Sequence, residues 1–162
     1  MKATITLIAM NVVIYFLAKN NMNYYALVPN NDNYRLVTYM FVHANLLHLI
    51  INMMSLFAVG KALEKHVGME WFVFIYLFCG VVAALVSNAI GSYFYTVGAS
   101  GAIVGLFGFL YYAIKDRYCI ELIKIITFYI LCSIFGVQLN HVIHISAFII
   151  GYSTSFLYQK IK

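Results

Sequence analysis

The sequence predicts an all-α fold, a polytopic membrane bundle of six transmembrane helices with both termini in the cytoplasm. The composition is the first reason, since 64% of the 162 residues are hydrophobic and only 9% are charged, unlike a soluble domain. The second reason is that apolar runs near membrane-spanning length recur from end to end. We predict spans at about 3–18, 43–61, 71–90, 99–114, 120–137 and 141–158, in one domain covering 1–162.

The third reason is how the basic residues sort between these spans. One side of the topology carries Lys2, Lys61, Lys65, Lys115, Arg117, Lys124, Lys160 and Lys162. Only Lys19 and Arg35 fall on the other side. The positive-inside rule then places both termini in the cytoplasm, so spans 2, 4 and 6 run inward from the outer face. Because the net charge of +5 is scattered and forms no basic arm, nucleic-acid binding is not expected.

The first span and the loop after it set the outer end of the bundle. Lys2 and the apolar run behind it resemble a signal peptide, but no small-residue cleavage pattern follows, so we expect a retained span. The loop at 19–42 combines turn residues with aromatic ones such as Tyr24 and Tyr34. Because tyrosine favours the headgroup level, this composition predicts a folded loop lying at the membrane interface.

Span 2 carries a polar stripe. His48 and Asn52 are four residues apart and share a helix face, with Asn45 three before His48 on the same stripe. His43, five before His48, points elsewhere on a helix. One polar residue in a span can simply hydrogen-bond a neighbouring helix, whereas two on one face indicate a cavity or a polar partner.

Span 4 opens with GASGAIVGLFG, residues 98–108. Ser100 stands at the helix start, and Gly101, Gly105 and Gly108 follow at helical spacing. Small residues at this spacing let helix backbones approach closely. Taken alone, the stretch favours packing glycines with a bystander serine.

Span 6 supplies a possible partner for that serine. His144, Ala147 and Gly151 share one face, so a small-residue groove would press span 6 against the glycines of span 4. That packing would bring the imidazole of His144 towards Ser100, and histidine is the usual base for a serine nucleophile. Asn140 either helps to hold His144 or caps the helix, and His141 is a loop-end histidine.

The remaining groups define what chemistry is available. Asn52, His48 and the backbone N–H of Ser100 can donate hydrogen bonds to an oxyanion. None of the five acids lies at the depth of Ser100, which excludes a Ser-His-Asp triad and leaves a Ser-His dyad. The H-E-x-x-H zinc signature is also missing.

Together these motifs resemble the rhomboid intramembrane serine proteases in their minimal six-span form. The resemblance covers residues 1 to 158 and rests on FVHANLLHLIINMMSL, the GxSG motif in GASGAIVGLFG, and HISAFIIG. The chain departs from the family at three places. Tyr34-Arg35 replaces a Trp-Arg pair, Ala147 replaces the first glycine of a G-x-x-x-G, and Val104 stands where several relatives carry an aromatic ring.

The resemblance implies roles for individual residues. Ser100 would be the nucleophile and His144 the general base, with Asn52, His48 and the Ser100 amide as the oxyanion hole. Support would come from His43, Gly98 and Gly101, and neither metal nor cofactor would be needed.

The resemblance also implies a setting. Substrates would be transmembrane proteins that enter laterally from the lipid bilayer, past spans 2 and 5. Phe128 and Phe135 are gate candidates, although lipid-facing or packing roles fit them equally well. The site of this multi-pass protein would open to the extracytoplasmic side, and the minimal size suggests a bacterial plasma membrane.

Two alternatives stay open. The first is a catalytically inactive rhomboid-like protein that binds or escorts membrane helices. The second is a metal or small-solute site lined by His43, His48, His141 and His144, since histidine is a common metal ligand. Against it, His43 and His48 diverge on a helix, and no acid or cysteine joins them.

The three cysteines, Cys79, Cys119 and Cys132, are odd in number and lie in or beside apolar runs, so we expect them to be small buried hydrophobic residues. The oligomeric state is left open.

Overall fold

The computed structural model describes residues 1–28, 32–91, 95–114 and 140–161. Helices within these ranges are α1 Lys2–Ala18, α2 Met22–Tyr25, α3 Arg35–Thr38, α4 Leu46–Val67, α5 Met69–Ala89, α6 Ser100–Ala113 and α7 His141–Ile161. Outside them, Leu27 and Thr96 form an isolated antiparallel bridge. The predicted all-α class is confirmed for this part of the chain. The five long helices overlap five of the predicted spans. The predicted span at 120–137, with Phe128 and Phe135, lies outside the described residues.

Two of the described helices are long and apolar enough to cross a membrane. They are α4 and α5, with mean hydropathy of 1.7 and 2.2 over their best windows. Two more, α1 and α6, are apolar but shorter. The total of six crossings and the cytoplasmic termini stay predictions.

Helix α6 lies at the centre of the bundle. Every residue from Ser100 to Leu110 is buried, as expected of a helix that is apolar all round. Its glycine face packs directly on α7, because a Cβ on Gly151 would overlap the carbonyl oxygen of Gly105. On the same face, a Cβ on Gly108 would overlap the carbonyl oxygen of Phe148. The predicted small-residue contact between these two helices is therefore present.

The boundaries of α4 differ from those predicted. The helix begins at Leu46 and not at 43, because the side-chain oxygen of Asn45 accepts the N–H of His48 at 2.8 Å and caps it. The prediction that Asn45 shares the His48 stripe is therefore wrong. At the other end α4 continues to Val67, past the predicted 61, and stops where Gly68 takes a φ of +87°.

The first loop is folded, as predicted, and hydrogen bonds from Arg35 help to hold it together. One guanidinium nitrogen donates to the carbonyls of Asn23 and Ala26, at 2.8 and 3.0 Å. The neighbouring Tyr34 hydroxyl donates to the carbonyl of Tyr24 at 3.0 Å. This pair therefore holds the two short loop helices, α2 and α3, together.

Glu64 joins α1 to α4 by accepting hydrogen bonds from the backbone amides at the start of α1. Its carboxylate accepts the N–H groups of Ala3 and Thr4 at 3.0 and 2.9 Å, and the Thr4 hydroxyl at 2.6 Å. The first amides of a helix lack partners within it, so a carboxylate here accepts their hydrogen bonds. Its negative charge also interacts favourably with the positive end of the helix dipole. Gly60 allows this crossing, since a Cβ there would overlap the Thr4 side chain.

We therefore expect Glu64→Gln to lower the free energy of unfolding by about 2–4 kcal/mol. Hydrogen bonds to a charged group contribute about 1.5–3 kcal/mol each, and the single neutral oxygen of glutamine replaces only part of them. Thermal unfolding in detergent measures the effect. Glu70→Gln is the matched control, since Glu70 is exposed in the first turn of α5. Equal midpoints for the two variants would remove Glu64 from this role.

Candidate active site

The hydroxyl of Ser100 and the imidazole of His144 are in hydrogen-bond contact. Oγ and Nε2 lie 2.8 Å apart, and the two residues are only 6% and 2% exposed. Ser100 is the first residue of α6, and His144 lies one turn into α7. The hydroxyl donates to Nε2 when the neutral ring carries its proton on Nδ1. The pair is therefore arranged for proton transfer from oxygen to nitrogen.

The turn before Ser100 requires glycine at position 98. Gly98 has a φ of +114°, in the left-handed region that side chains disfavour. A Cβ there would also lie 2.7 and 2.8 Å from Cε1 and Nε2 of His48. The His48 ring therefore lies directly against the turn that carries the serine.

His43 belongs to this cluster, contrary to the prediction that it points away from His48. Their rings meet edge to face, with centroids 5.2 Å apart. His43 Nε2 also accepts the N–H of Ala99 in a long hydrogen bond of 3.4 Å. The prediction was wrong because it assumed helix back to residue 43, whereas His43 precedes the cap and turns back towards the serine.

Asn52 lies one turn beyond His48 on α4 and is fully buried. Its amide nitrogen donates to the carbonyl of His48 at 2.8 Å, which occupies one of its two hydrogens within its own helix. The second hydrogen is not used by this bond. Asn52 is thus on the stripe that the sequence predicted, in contact with the His48 backbone.

Gly101 and Tyr39 complete the packing around the serine turn. A Cβ on Gly101 would come within 2.6 Å of Ile143 on α7 and 3.2 Å of the Tyr39 hydroxyl. The hydroxyl donates to the carbonyl of Gly80 on α5 at 2.9 Å, and the Tyr39 carbonyl accepts the N–H of Gly98 at 2.9 Å. Sequence reasoning missed Tyr39. The signal was the uncharged run YMFV just before His43, which is unusually apolar for a loop.

The metal alternative requires several ligand side chains that converge on one point. Among the described residues, no three His, Cys, Asp or Glu side chains come together as ligands. The buried acid of this part of the chain is Glu64, whose carboxylate binds the start of α1. His43 and His48 pack on each other beside the turn that carries the serine.

Comparison with known proteins gives a consistent family. The model of the Rhomboid domain matches residues 30–161. YdcA of Bacillus subtilis, whose name assigns it provisionally to the rhomboid proteases, is 32% identical over 143 residues, covering 80% of this chain and 69% of that protein. Rhomboid protease GluP of the same organism is 35% identical over 106 residues, covering 65% of this chain and 20% of GluP.

A eukaryotic relative extends the match. Rhomboid-like protease 2 of Toxoplasma gondii is 28% identical over 138 residues, covering 78% of this chain and 48% of that protein. The matched domain includes the whole cluster from His43 to His144. This chain therefore belongs to the rhomboid family, a family of intramembrane proteases, and is an integral membrane protein.

Proposed function

We propose that this chain is an intramembrane serine endopeptidase that cleaves transmembrane proteins within or beside their membrane segments. The observation that carries the proposal is the 2.8 Å contact between Ser100 Oγ and His144 Nε2. A serine hydroxyl is a weak nucleophile by itself and needs an adjacent base. The contact supplies that base in a buried setting.

The reaction follows from these two side chains. Ser100 Oγ attacks the scissile carbonyl carbon while its proton passes to His144 Nε2. The C–N bond then breaks as the imidazolium returns the proton to the leaving amine, and an acyl ester remains on Ser100. A water molecule deprotonated by His144 hydrolyses the ester and restores the free serine.

The oxyanion formed in each step needs donors, and three groups fit this role. The N–H of Ser100 stands first in α6, where amides lack partners within the helix. The ring of His48 lies against the serine turn. Asn52, whose amide nitrogen bonds the His48 carbonyl, has a second amide hydrogen that this bond does not use. Loss of one such donor typically lowers the rate by about 10²–10³.

The charges at the two ends of the bundle support a site that opens to the extracytoplasmic side. The first loop, with Arg35, meets the serine end through the bridge between Leu27 and Thr96. At the other end, the bonds of Glu64 join the start of α1 to the last turns of α4, so Lys2 and Lys65 lie at the same end of the bundle. The ring contact of Trp71 with Tyr158, at 5.0 Å, brings the lysine-bearing end of α7 to the same end. The positive-inside rule assigns that lysine-rich end to the cytoplasm.

A fluorophosphonate probe and a model transmembrane substrate test the proposal. We expect the detergent-solubilised protein to react with the probe, and peptide mapping to find the adduct on Ser100. In vesicles it should cut the substrate at a defined bond. A folded protein that binds the substrate but neither cuts it nor takes the label would favour the inactive helix-binding alternative.

Activity is expected to fall as the pH is lowered through the pKa of His144. The imidazole must be neutral to accept the serine proton, so protonation before the reaction removes the base. Probe labelling rates, measured from pH 9 down to the lowest pH at which the protein stays folded, test this, with the probe's own hydrolysis subtracted. A rate that rises steadily towards pH 5 contradicts the assignment of His144.

A further inference from the structure

We propose that Asn140 is a positioning residue, which sets the Ser100–His144 distance by tying the start of α7 to the segment that leads into α6. The catalytic consequence rests on the proposed function, whereas the geometry can be tested without it. Asn140 is 6% exposed, so its side-chain amide must find its partners inside the protein.

The oxygen of this amide organises the first turn of α7. It accepts the N–H of Ile143 at 3.3 Å, while the Asn140 backbone carbonyl accepts the N–H of His144 at 3.2 Å. This is a helix cap, and it fixes where α7 begins. Since His144 is four residues further on, the cap also fixes how deep the imidazole lies along α7.

The nitrogen of the same amide reaches away from α7. It donates to the hydroxyl of Thr96 at 3.0 Å and to that of Ser87, near the end of α5, at 3.4 Å. These two bonds account for both amide hydrogens. One side chain therefore joins three parts of the chain, at the end of the bundle where the serine lies.

Thr96 is itself held in place. Its N–H and carbonyl both bond to Leu27, at 2.9 Å each, and two residues later Gly98 bonds to Tyr39. Thr96 is four residues before Ser100, just as Asn140 is four residues before His144. The Asn140–Thr96 bond thus links equivalent points on the two segments that deliver the dyad.

This bond does something that the glycine contact cannot. The small residues of α6 and α7 set how close the helices lie, but van der Waals contact has little directional preference along the helix axis. A hydrogen bond has a narrow range of length and angle, so it resists sliding of one helix along the other. We infer that without it α7 shifts by a fraction of an ångström, which is enough to lengthen the Ser100–His144 contact.

Two substitutions distinguish the bonds that the Asn140 nitrogen makes to Thr96 and Ser87 from the helix cap made by its oxygen. Asn140→Ser keeps a good capping residue but is too short to reach Thr96 and Ser87. Thr96→Val removes the hydroxyl at nearly constant shape. Thr96→Ser keeps the hydroxyl and serves as the rescue. Tyr95→Phe is the matched control, because the neighbouring Tyr95 hydroxyl also bonds an asparagine side chain, donating to the Asn23 oxygen at 2.8 Å, but on the exposed side.

We expect Asn140→Ser and Thr96→Val each to lower the turnover rate and the probe labelling rate by about 10–100-fold, the scale of a sub-ångström to 1 Å misplacement, with KM unchanged. The double variant should be no slower than Asn140→Ser alone, since that variant already lacks the bond that Thr96→Val removes. Thr96→Ser and Tyr95→Phe should stay near the wild-type rate. Additive losses, or losses that only parallel a lower unfolding temperature, would overturn the proposal.

A second readout does not need catalysis. In protein labelled with ¹⁵N-histidine, the Nε2 resonance of His144, identified by its loss in His144→Gln, reports the contact with Ser100. Asn140→Ser and Thr96→Val should move it towards its position in Ser100→Ala, whereas Thr96→Ser should not. An unmoved resonance refutes the positioning role. If the wild-type protein takes no probe, the proposed protease function fails while this measurement still decides the role of Asn140.

Discussion

Replacing Ser100 with alanine is expected to abolish both substrate cleavage and fluorophosphonate labelling, by at least about 10³-fold. The reason is that the variant lacks the hydroxyl that His144 Nε2 would deprotonate and that the probe would react with. The fold should survive, because one neutral hydrogen bond contributes only about 1 kcal/mol and alanine suits the first turn of α6. Gel fluorescence of the labelled protein and thermal unfolding measure the two effects.

Ser146→Ala is the matched control for this loss. Ser146 lies on α7 two residues after His144, and its hydroxyl donates to the carbonyls of Val142 and Ile143 at 2.7 and 3.2 Å. It is therefore a serine near the base that is turned back onto its own helix. We expect this variant to label like the wild type. Labelling that persists in Ser100→Ala and disappears in Ser146→Ala would reassign the nucleophile.

Replacing Gly151 with leucine is expected to separate α7 from α6 and to remove activity together with stability. A Cβ on Gly151 already overlaps the Gly105 carbonyl and comes within 3.0 Å of the Phe109 nitrogen, and both are backbone atoms that cannot turn aside. Overpacking of a well-packed core typically costs about 1–3 kcal/mol, and a leucine at a backbone-to-backbone contact should exceed that range. Because α7 carries His144, its displacement also takes the base away from Ser100.

Ile149→Phe provides the comparison for Gly151→Leu. Ile149 is on the same helix and is 58% exposed, so added bulk there meets no other helix of the described ranges. We expect its unfolding midpoint and probe labelling to stay near the wild-type values. A Gly151→Leu protein that unfolds at the wild-type temperature and still takes the label would show that the glycine contact does not set the position of α7.

The sequence was most informative where a regular pattern has one physical reading. Gly105, Gly108 and Gly151 fall at helical spacing, and close helix packing is the common use of such residues in membranes. From that packing, the approach of His144 to Ser100 followed directly. The apolar runs likewise located the long helices, because periodicity and length decide such elements.

Prediction failed where the position of a residue depends on a single cap or on a distant partner. His43 and Asn45 were treated as helical, although Asn45 is itself a good capping residue and its position marks the helix start. The apolar run YMFV indicates that Tyr39 is buried, but its partners, Gly80 and Gly98, are remote in sequence, and no local pattern identifies them. Asn140 was left with two alternatives, of which the cap is present.

The burial of α6 on every side has a consequence for how the surrounding bilayer can affect the serine. From Ser100 to Leu110 this helix offers no surface to acyl chains, so a thicker or thinner membrane cannot tilt it directly. Any such mismatch acts first on the outer helices, and reaches the nucleophile only if they move relative to it. The helix that holds Ser100 thus serves as a fixed reference, insulated by protein from the lipid in which the molecule resides.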